Sequence, residues 1–224
     1  MLIDVISEVC ARSEALEGGL KSLSVAVDEK IETLWSFVSP FTGKDFNVMA
    51  NGINALKQWT GKTTASIVYD SRKDPFTHDG FFCKILGKPN VAIVAFTADG
   101  DAFGGFYSVV VTKQNSEDFD PNIFVFSFES HGRCKTPQRF AAKEEFKNKV
   151  NVGFSKNHIT GFVWFGVDNV GCFTLGNEGT QSTCCCMSQA FAGLEDTTLT
   201  GKNSATWTEP PYHPCHRLVA IYLE

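Results

Sequence analysis

The first 37 residues carry a seven-residue repeat of apolar positions. Between residues 2 and 37, apolar side chains recur at alternating steps of four and three residues, with Ser13 and Lys30 as interruptions. This spacing predicts a helical coiled coil that joins copies of the chain, and the alternative is an amphipathic helix packed on its own domain. Gly18 and Gly19 each weaken a helix by about 1 kcal/mol and would also fit a break between two shorter helices. The predicted seam consists of Ile6, Val9, Leu16, Leu20, Leu23, Val27 and Leu34.

A segment from Ser39 to Lys44 ends this repeat, because its proline cannot continue a helix and its glycine loosens the chain. We therefore expect a coiled-coil oligomerisation segment at 1–38 and a folded domain at 39–224. Helical spacing returns from Phe46 to Trp59, and Gly61 is suited to end that second helix.

Beyond Gly61 the chain consists of short apolar runs separated by turn-forming residues, which is the pattern expected of strands. The turn at 98–101 lies between two such runs and predicts a hairpin. Phe124, Phe126 and Phe128 alternate as on the buried face of a strand. The predicted strands are Ser66–Tyr69, Val91–Thr97, Phe103–Val111, Ile123–Phe128, Gly161–Phe165, Cys172–Leu175 and Arg217–Leu223.

Two further segments, Asp79–Leu86 and Arg139–Val150, have the spacing of short helices. Because the apolar runs are apolar on both faces, helices or a second sheet must cover them. The pattern therefore predicts an α+β fold. Its form would be an antiparallel two-sheet β-sandwich flanked by helices and preceded by the helical coiled-coil leader.

Composition adds constraints on location and chemistry. The 224 residues are 43% hydrophobic, which is enough for a sizeable core. No run of about 18 apolar residues occurs, so we expect no membrane insertion. The start has no basic region followed by an apolar run, so we expect a cytoplasmic protein, with the nucleus as the alternative. In either compartment the eight cysteines are expected to be reduced thiols.

Several short motifs occur in order through the second part of the chain and resemble those of the TLDc domain family. They comprise a strand and turn at 67–74, a glycine-rich hairpin at 99–106, a phenylalanine-rich strand at 123–128, and a closing strand that ends in glutamate. The residues that carry the resemblance are Tyr69, Asp70, Ser71, Gly100, Phe103, Gly104, Gly105, Phe126, Gly166, Gly171 and Glu224.

The TLDc resemblance implies a two-sheet β-sandwich flanked by helices, in agreement with the pattern of apolar runs. It also implies a non-enzymatic protein-interaction role without catalytic residues or a cofactor. Members of that family are associated with resistance to oxidative stress and with regulation of the vacuolar proton pump, so pump subunits are the expected partners. A coiled coil ahead of such a domain is an arrangement seen among protist members.

A basic segment at 133–149 leaves a second function open. The whole chain has a net charge of -5, but this segment has six basic and two acidic residues, a net charge of +4. If it is helical, Arg139, Lys143 and Lys147 share one face. Such a stripe on a dimer would suit a nucleic-acid-binding transcriptional regulator. The alternative is a solvated helix face. The candidate contacts are Lys135, Arg139, Lys143, Lys147 and Lys149.

The run Cys184, Cys185 and Cys186 leaves a third function open, a thiol-based peroxide sensor. No lysine, arginine or histidine lies within ten residues of the run, so small buried core residues are the favoured interpretation. The segment from His213 to His216 contains three potential metal ligands, but its spacing matches no zinc motif. We therefore expect a turn there and no metal site.

Overall fold

The computed structural model describes residues 12, 15–27, 44–154, 163–167, 170–175, 181–202 and 212–224. The chain divides into two compact units, Met1–Phe46 and Asn47–Glu224. In the first unit, residues 15–27 form a continuous helix, α1, which passes through both Gly18 and Gly19. The alternative of a helix break at these glycines is therefore wrong. The predicted boundary at residues 38 and 39 lies outside the described residues.

In the described residues of the second unit, strands are combined with three α-helices. The helices are α2 (Lys44–Thr60), which begins just before this unit, α3 (His78–Ile85) and α4 (Met187–Ala190). The strands are β1 (Ala65–Asp70), β2 (Val91–Thr97), β3 (Ala102–Tyr107), β4 (Ser116–Phe119), β5 (Phe124–Glu129), β6 (Gln138–Ala141), β7 (Asn151–Phe154), β8 (Val163–Val167), β9 (Gly171–Leu175), β10 (Gln181–Cys185) and β11 (Tyr212–Leu223).

The strands form two antiparallel sheets that share the long strand β11. The first sheet has the order β1-β11-β2-β3-β5-β6, and the second has the order β4-β7-β8-β9-β10. The start of β11 pairs with β10, and its remainder lies between β2 and β1. The pairing with β10 ends at Pro214, and an irregularity between Cys215 and Arg217 lies near the start of the pairing with β2. The predicted α+β class with antiparallel sheets is confirmed.

Aromatic rings fill the space between the two sheets. The Phe103 ring lies 5.7 Å from the Phe173 ring, and the Tyr107 ring lies 5.8 Å from the Phe154 ring. A Cβ atom on Gly105 would lie 2.6 Å from the Phe165 ring, so only glycine lets the sheets approach this closely. These contacts place the inner face of β3, in the first sheet, against β7, β8 and β9 of the second sheet, as a β-sandwich requires.

Helix α2 covers the opposite face of the first sheet. Phe124, Phe126 and Phe128 all lie near the Trp59 ring at centroid distances of 5.9, 6.2 and 6.5 Å. Their predicted alternation on a buried face is therefore confirmed. The helix ends at Thr60, and Gly61 follows with φ of +70°, the left-handed conformation that glycine adopts without strain.

The prediction of a helix at Arg139–Val150 is wrong. Gln138–Ala141 forms the strand β6, which pairs with β5, and a 3-10 turn covers Glu144–Phe146. Strand pairing buries Phe140 while its neighbours stay exposed, a period of two that the four-residue spacing of the basic residues obscured. The predicted turn at His213–His216 is also wrong, because these residues belong to β11.

Candidate interaction site

The motif residues of β1 converge on a buried ion pair with β11. The Arg217 side chain is fully buried, and Asp70 is 2% exposed. Arg217 Nε donates to Asp70 Oδ1 at 3.0 Å, and Nη2 donates to Oδ2 at 2.6 Å. The Arg217 guanidinium also lies 5.9 Å from the centre of the Phe96 ring. In this bidentate arrangement the two opposite charges are paired at a position that water cannot reach.

The residues on either side of Asp70 hold the turn after β1. The Tyr69 hydroxyl donates to the Pro75 carbonyl at 3.1 Å, and burial raises the pKa of this phenol. The Ser71 hydroxyl accepts from the Leu218 amide at 2.9 Å, and Asp70 Oδ1 accepts from the Arg72 amide at 3.1 Å. Asp70 thus caps its own turn while it pairs with Arg217.

The remaining motif residues support backbone contacts of the sheets. Gly100 has φ of +88° in the turn between β2 and β3, and Gly104 lies beneath the Phe126 ring. Gly171 lies against the backbone of Cys186. The Glu224 amide donates to the Thr64 carbonyl at 3.2 Å. The motif residue Phe103 lies between the sheets, and the motif residue Gly166 has φ of +151°.

The basic segment 133–149 does not form the predicted stripe on one helix face. Arg139 lies on β6, where its Nη1 donates to the Trp59 carbonyl at 3.0 Å. Lys147 pairs with Glu144 at 2.5 Å, and Lys143 is half-buried before the 3-10 turn. The two other candidate contacts, Lys135 and Lys149, are exposed. Nucleic-acid contact by these five residues stays a prediction.

The three adjacent cysteines are buried. Cys184, Cys185 and Cys186 are 1%, 3% and 2% exposed. Burial, with a smaller contribution from the neighbouring Cys186, raises the pKa of Cys185 to about 11. Burial and then Asp196 raise the pKa of Cys186. Because the thiolate is the reactive form, this environment opposes the chemistry of a peroxide sensor.

The described part of the predicted seam is an exposed apolar stripe on α1. Leu16, Leu20, Leu23 and Val27 are 69%, 66%, 62% and 45% exposed. Their spacing places all four on one side of the helix. The other predicted seam residues, Ile6, Val9 and Leu34, lie outside the described residues.

The structure also forms a cleft that the sequence analysis missed. This Trp59 cleft has a volume of about 390 Å³ and lies between the end of α2 and strands β3, β5 and β6. Its lining residues come from five segments of the chain, so no motif spacing could reveal it. The one local signal was a tryptophan close to a lysine at a predicted helix end. The side chains that line it include Trp59, Lys62, Asn90, Phe106, Asn122 and Arg139.

A second missed cluster surrounds the buried carboxylate of Asp101. His131 Nδ1 lies 2.9 Å from Asp101 Oδ1, and Arg133 Nη2 donates to the same oxygen at 2.5 Å. Arg133 also donates to the carbonyls of Thr198 and Leu199 at 3.0 and 3.2 Å. The cluster therefore joins the turn after β5 to the segment that follows α4.

The comparisons add no family assignment. No protein-family model matches the chain, and no curated protein matches it significantly. Among the described residues, no three histidine, cysteine or carboxylate side chains come together as a metal site. None of the described helices has the length and apolar character needed to cross a membrane. The TLDc resemblance thus rests on the short motifs alone.

The buried ion pair makes the first testable prediction. Asp70→Asn keeps the shape of the side chain but leaves the Arg217 guanidinium buried without its counter-charge. We expect the free energy of unfolding to fall by about 3–5 kcal/mol, the usual cost of breaking a buried pair. Urea denaturation measures it. The control is Lys84→Met, which removes an exposed lysine paired with Asp74 at 2.9 Å and should change stability far less. Equal losses in the two variants would contradict the prediction.

The cysteines make the second prediction. With a pKa of about 11, Cys185 carries thiolate in about one molecule in a thousand at pH 8. Iodoacetamide at that pH should therefore label the exposed Cys83 and leave Cys184–Cys186 unlabelled until denaturant is added. Peptide mass spectrometry reads out each site. Labelling of the triple cysteine alongside Cys83 in the folded chain would show that the thiols are accessible and reopen the sensor function.

Proposed function

We propose that the chain is a non-enzymatic, self-associating interaction protein of the TLDc type. In this proposal residues 1–38 join copies of the chain, and residues 39–224 bind a protein partner. The expected setting is the cytoplasm or nucleus, in the response to oxidative stress or in regulation of the vacuolar proton pump. The TLDc resemblance supports the partner assignment, and the motif order along 60–224 is its warrant.

The exposed apolar stripe of α1 is the observation that carries the proposal. Burial of a leucine side chain is worth about 1.5–3 kcal/mol, so four exposed apolar residues on one helix face favour a second apolar surface. The repeat extends this stripe in both directions along the sequence, from residue 2 to residue 37. A partner with the same repeat is another copy of the chain, which points to a parallel or antiparallel coiled coil.

Most motif residues have structural rather than catalytic surroundings. The Asp70–Arg217 pair is closed to solvent, and the glycines accommodate close backbone approaches. This arrangement supports an interaction role for the domain surface, in which affinity for the partner is multiplied when α1 brings copies together.

The stripe makes the third prediction. Leu16→Gln with Leu23→Gln replaces two exposed apolar residues by a good helix former, so helicity should persist while the seam is lost. We expect the full chain to be oligomeric at low micromolar concentration and the double variant to have the 24.6 kDa mass of one chain. Size-exclusion chromatography with light scattering measures the mass, and circular dichroism checks the helix content.

Val25→Gln is the matched control for this experiment. Val25 is 52% exposed but lies nine residues after Leu16, which places it on the opposite side of the helix. The control should keep the mass of the unmodified chain. A full chain that is already monomeric, or a double variant that stays oligomeric, would contradict the role of the stripe.

Partner capture makes the fourth prediction. The full chain and the double variant are used as baits in native lysate, each with and without nuclease. Recovery of proton-pump subunits by both baits, more strongly by the full chain, is the expected result. Recovery of chromatin components that nuclease removes would favour the nucleic-acid alternative and the exposed residues of the basic segment.

A further inference from the structure

The Trp59 cleft has the size and composition of a small-ligand site. Its volume of about 390 Å³ falls within the range of about 300–1,000 Å³ found for such sites. Its lining combines the aromatic rings of Trp59, Phe106 and Phe124 with the cationic groups of Lys62 and Arg139 and the amides of Asn90 and Asn122. Clefts that combine these two surfaces bind ligands with one flat apolar part and one charged part.

The aromatic wall is held in place by ring contacts. The Trp59 ring meets the Phe124 ring edge to face, at 5.9 Å and 87°. The Phe106 ring stacks on the same phenylalanine at 4.9 Å. Trp59 is only partly buried, so its ring supplies a fixed surface on which a planar group can stack. Because the ring is already positioned, little side-chain entropy is lost when a ligand stacks on it.

Two cations line the cleft, and within the described part of the chain neither has a counter-charge. Neither Lys62 nor Arg139 forms an ion pair with any residue that the structure describes. The guanidinium of Arg139 is oriented by its bond to the Trp59 carbonyl and lies 5.7 Å from the centre of the Phe124 ring. The bond uses one N–H group of Nη1, so the guanidinium keeps donors for an anion.

A buried carboxylate orients the polar side of the cleft. Asp120 is fully buried, and its Oδ1 accepts hydrogen bonds from the Ser108 hydroxyl and from the backbone N–H of Asn122, each at 2.9 Å. Its Oδ2 accepts from the Ser108 amide. The Asn122 side-chain nitrogen donates to the Ser108 hydroxyl at 3.1 Å, which leaves its carbonyl oxygen and one N–H for a ligand. The Asn90 side chain also lines the cleft.

We propose that the Trp59 cleft binds a nucleotide, with the base on the Trp59 ring and the phosphate between Lys62 and Arg139. The amides of Asn90 and Asn122 are suited to the donor and acceptor edge of a base or to the sugar hydroxyls. An inorganic anion would leave the aromatic wall unused, and a neutral aromatic ligand would leave both cations unpaired. The nucleotide is either a free mononucleotide or one residue of a single-stranded nucleic acid. This binding does not depend on self-association through α1.

The test measures the anisotropy of two probes on the full chain. One probe is AMP with a methylanthraniloyl label on the ribose, and the other is a short fluorescein-labelled oligodeoxyadenylate. Arg139→Gln and Lys62→Gln should each weaken binding about tenfold, as loss of a charge-assisted hydrogen bond predicts. Trp59→Leu should weaken it by about tenfold through lost stacking. Of the three variants, Lys62→Gln should disturb folding least, since the Lys62 side chain forms no hydrogen bond or ion pair with a described residue.

Lys143→Gln is the matched control, because Lys143 lies in the same basic segment but does not line the cleft. It should change the affinity less than about twofold, since it removes no contact in the cleft. Equal losses for Lys143→Gln and Arg139→Gln would overturn the cleft and indicate a diffuse basic surface. Absence of binding by both probes at millimolar protein would overturn the proposal altogether.

Competition by unlabelled compounds tests the base contact and the phosphate contact separately, and the relative affinity of the two probes identifies the source of the nucleotide. Unlabelled AMP should displace the labelled AMP, whereas adenosine and inorganic phosphate should each compete at least about tenfold more weakly. Equal competition by inorganic phosphate would overturn the base contact, and equal competition by adenosine would overturn the phosphate contact. Tighter binding of AMP than of the oligonucleotide supports a free nucleotide, and the reverse order supports a single strand.

Discussion

The buried pair of Asp70 and Arg217 is the constraint on which the rest of the fold depends. Two full charges out of water are tolerated only when both are satisfied, so the pair admits one relative position of β1 and β11. That position sets the register of β11, and β11 is the strand that the two sheets share. The same residues hold the turn after β1, because Asp70 and Ser71 accept from nearby backbone amides. One ion pair thus ties together the turn, the edge of the first sheet and the junction of both sheets.

The candidate interaction features of the molecule belong to different parts of the chain. The apolar stripe of α1 belongs to the first unit, whereas the Trp59 cleft belongs entirely to the second. The buried cysteines Cys184–Cys186 belong to neither feature, and burial raises the pKa of Cys185 and of Cys186. The proposed self-association and the proposed ligand binding thus rest on different units of the chain.

Local pattern was sufficient wherever an element has a strong period of its own. Each of the seven predicted strands overlaps an observed strand, and α2 and α3 lie where the spacing of apolar residues placed them. The missed strands β4, β6, β7 and β10 have only four or five residues each and at most two apolar residues, fewer than the equally short β8 and β9. At β6 the basic residues also happened to recur every four positions, and pairing with β5 outweighed that spacing.

The sequence by itself determined the class of the fold, the hairpin at 98–101, the glycines of close approach and the heptad repeat, since each depends on neighbours along the chain. Only the tertiary structure decided which distant residues meet. Asp70 and Arg217 are 147 positions apart, and Trp59 and Arg139 are 80 positions apart. A single sequence holds no record of such pairings. They arise because burial and strand register bring the segments together, and the ion pair and the cleft exist only once that packing is complete.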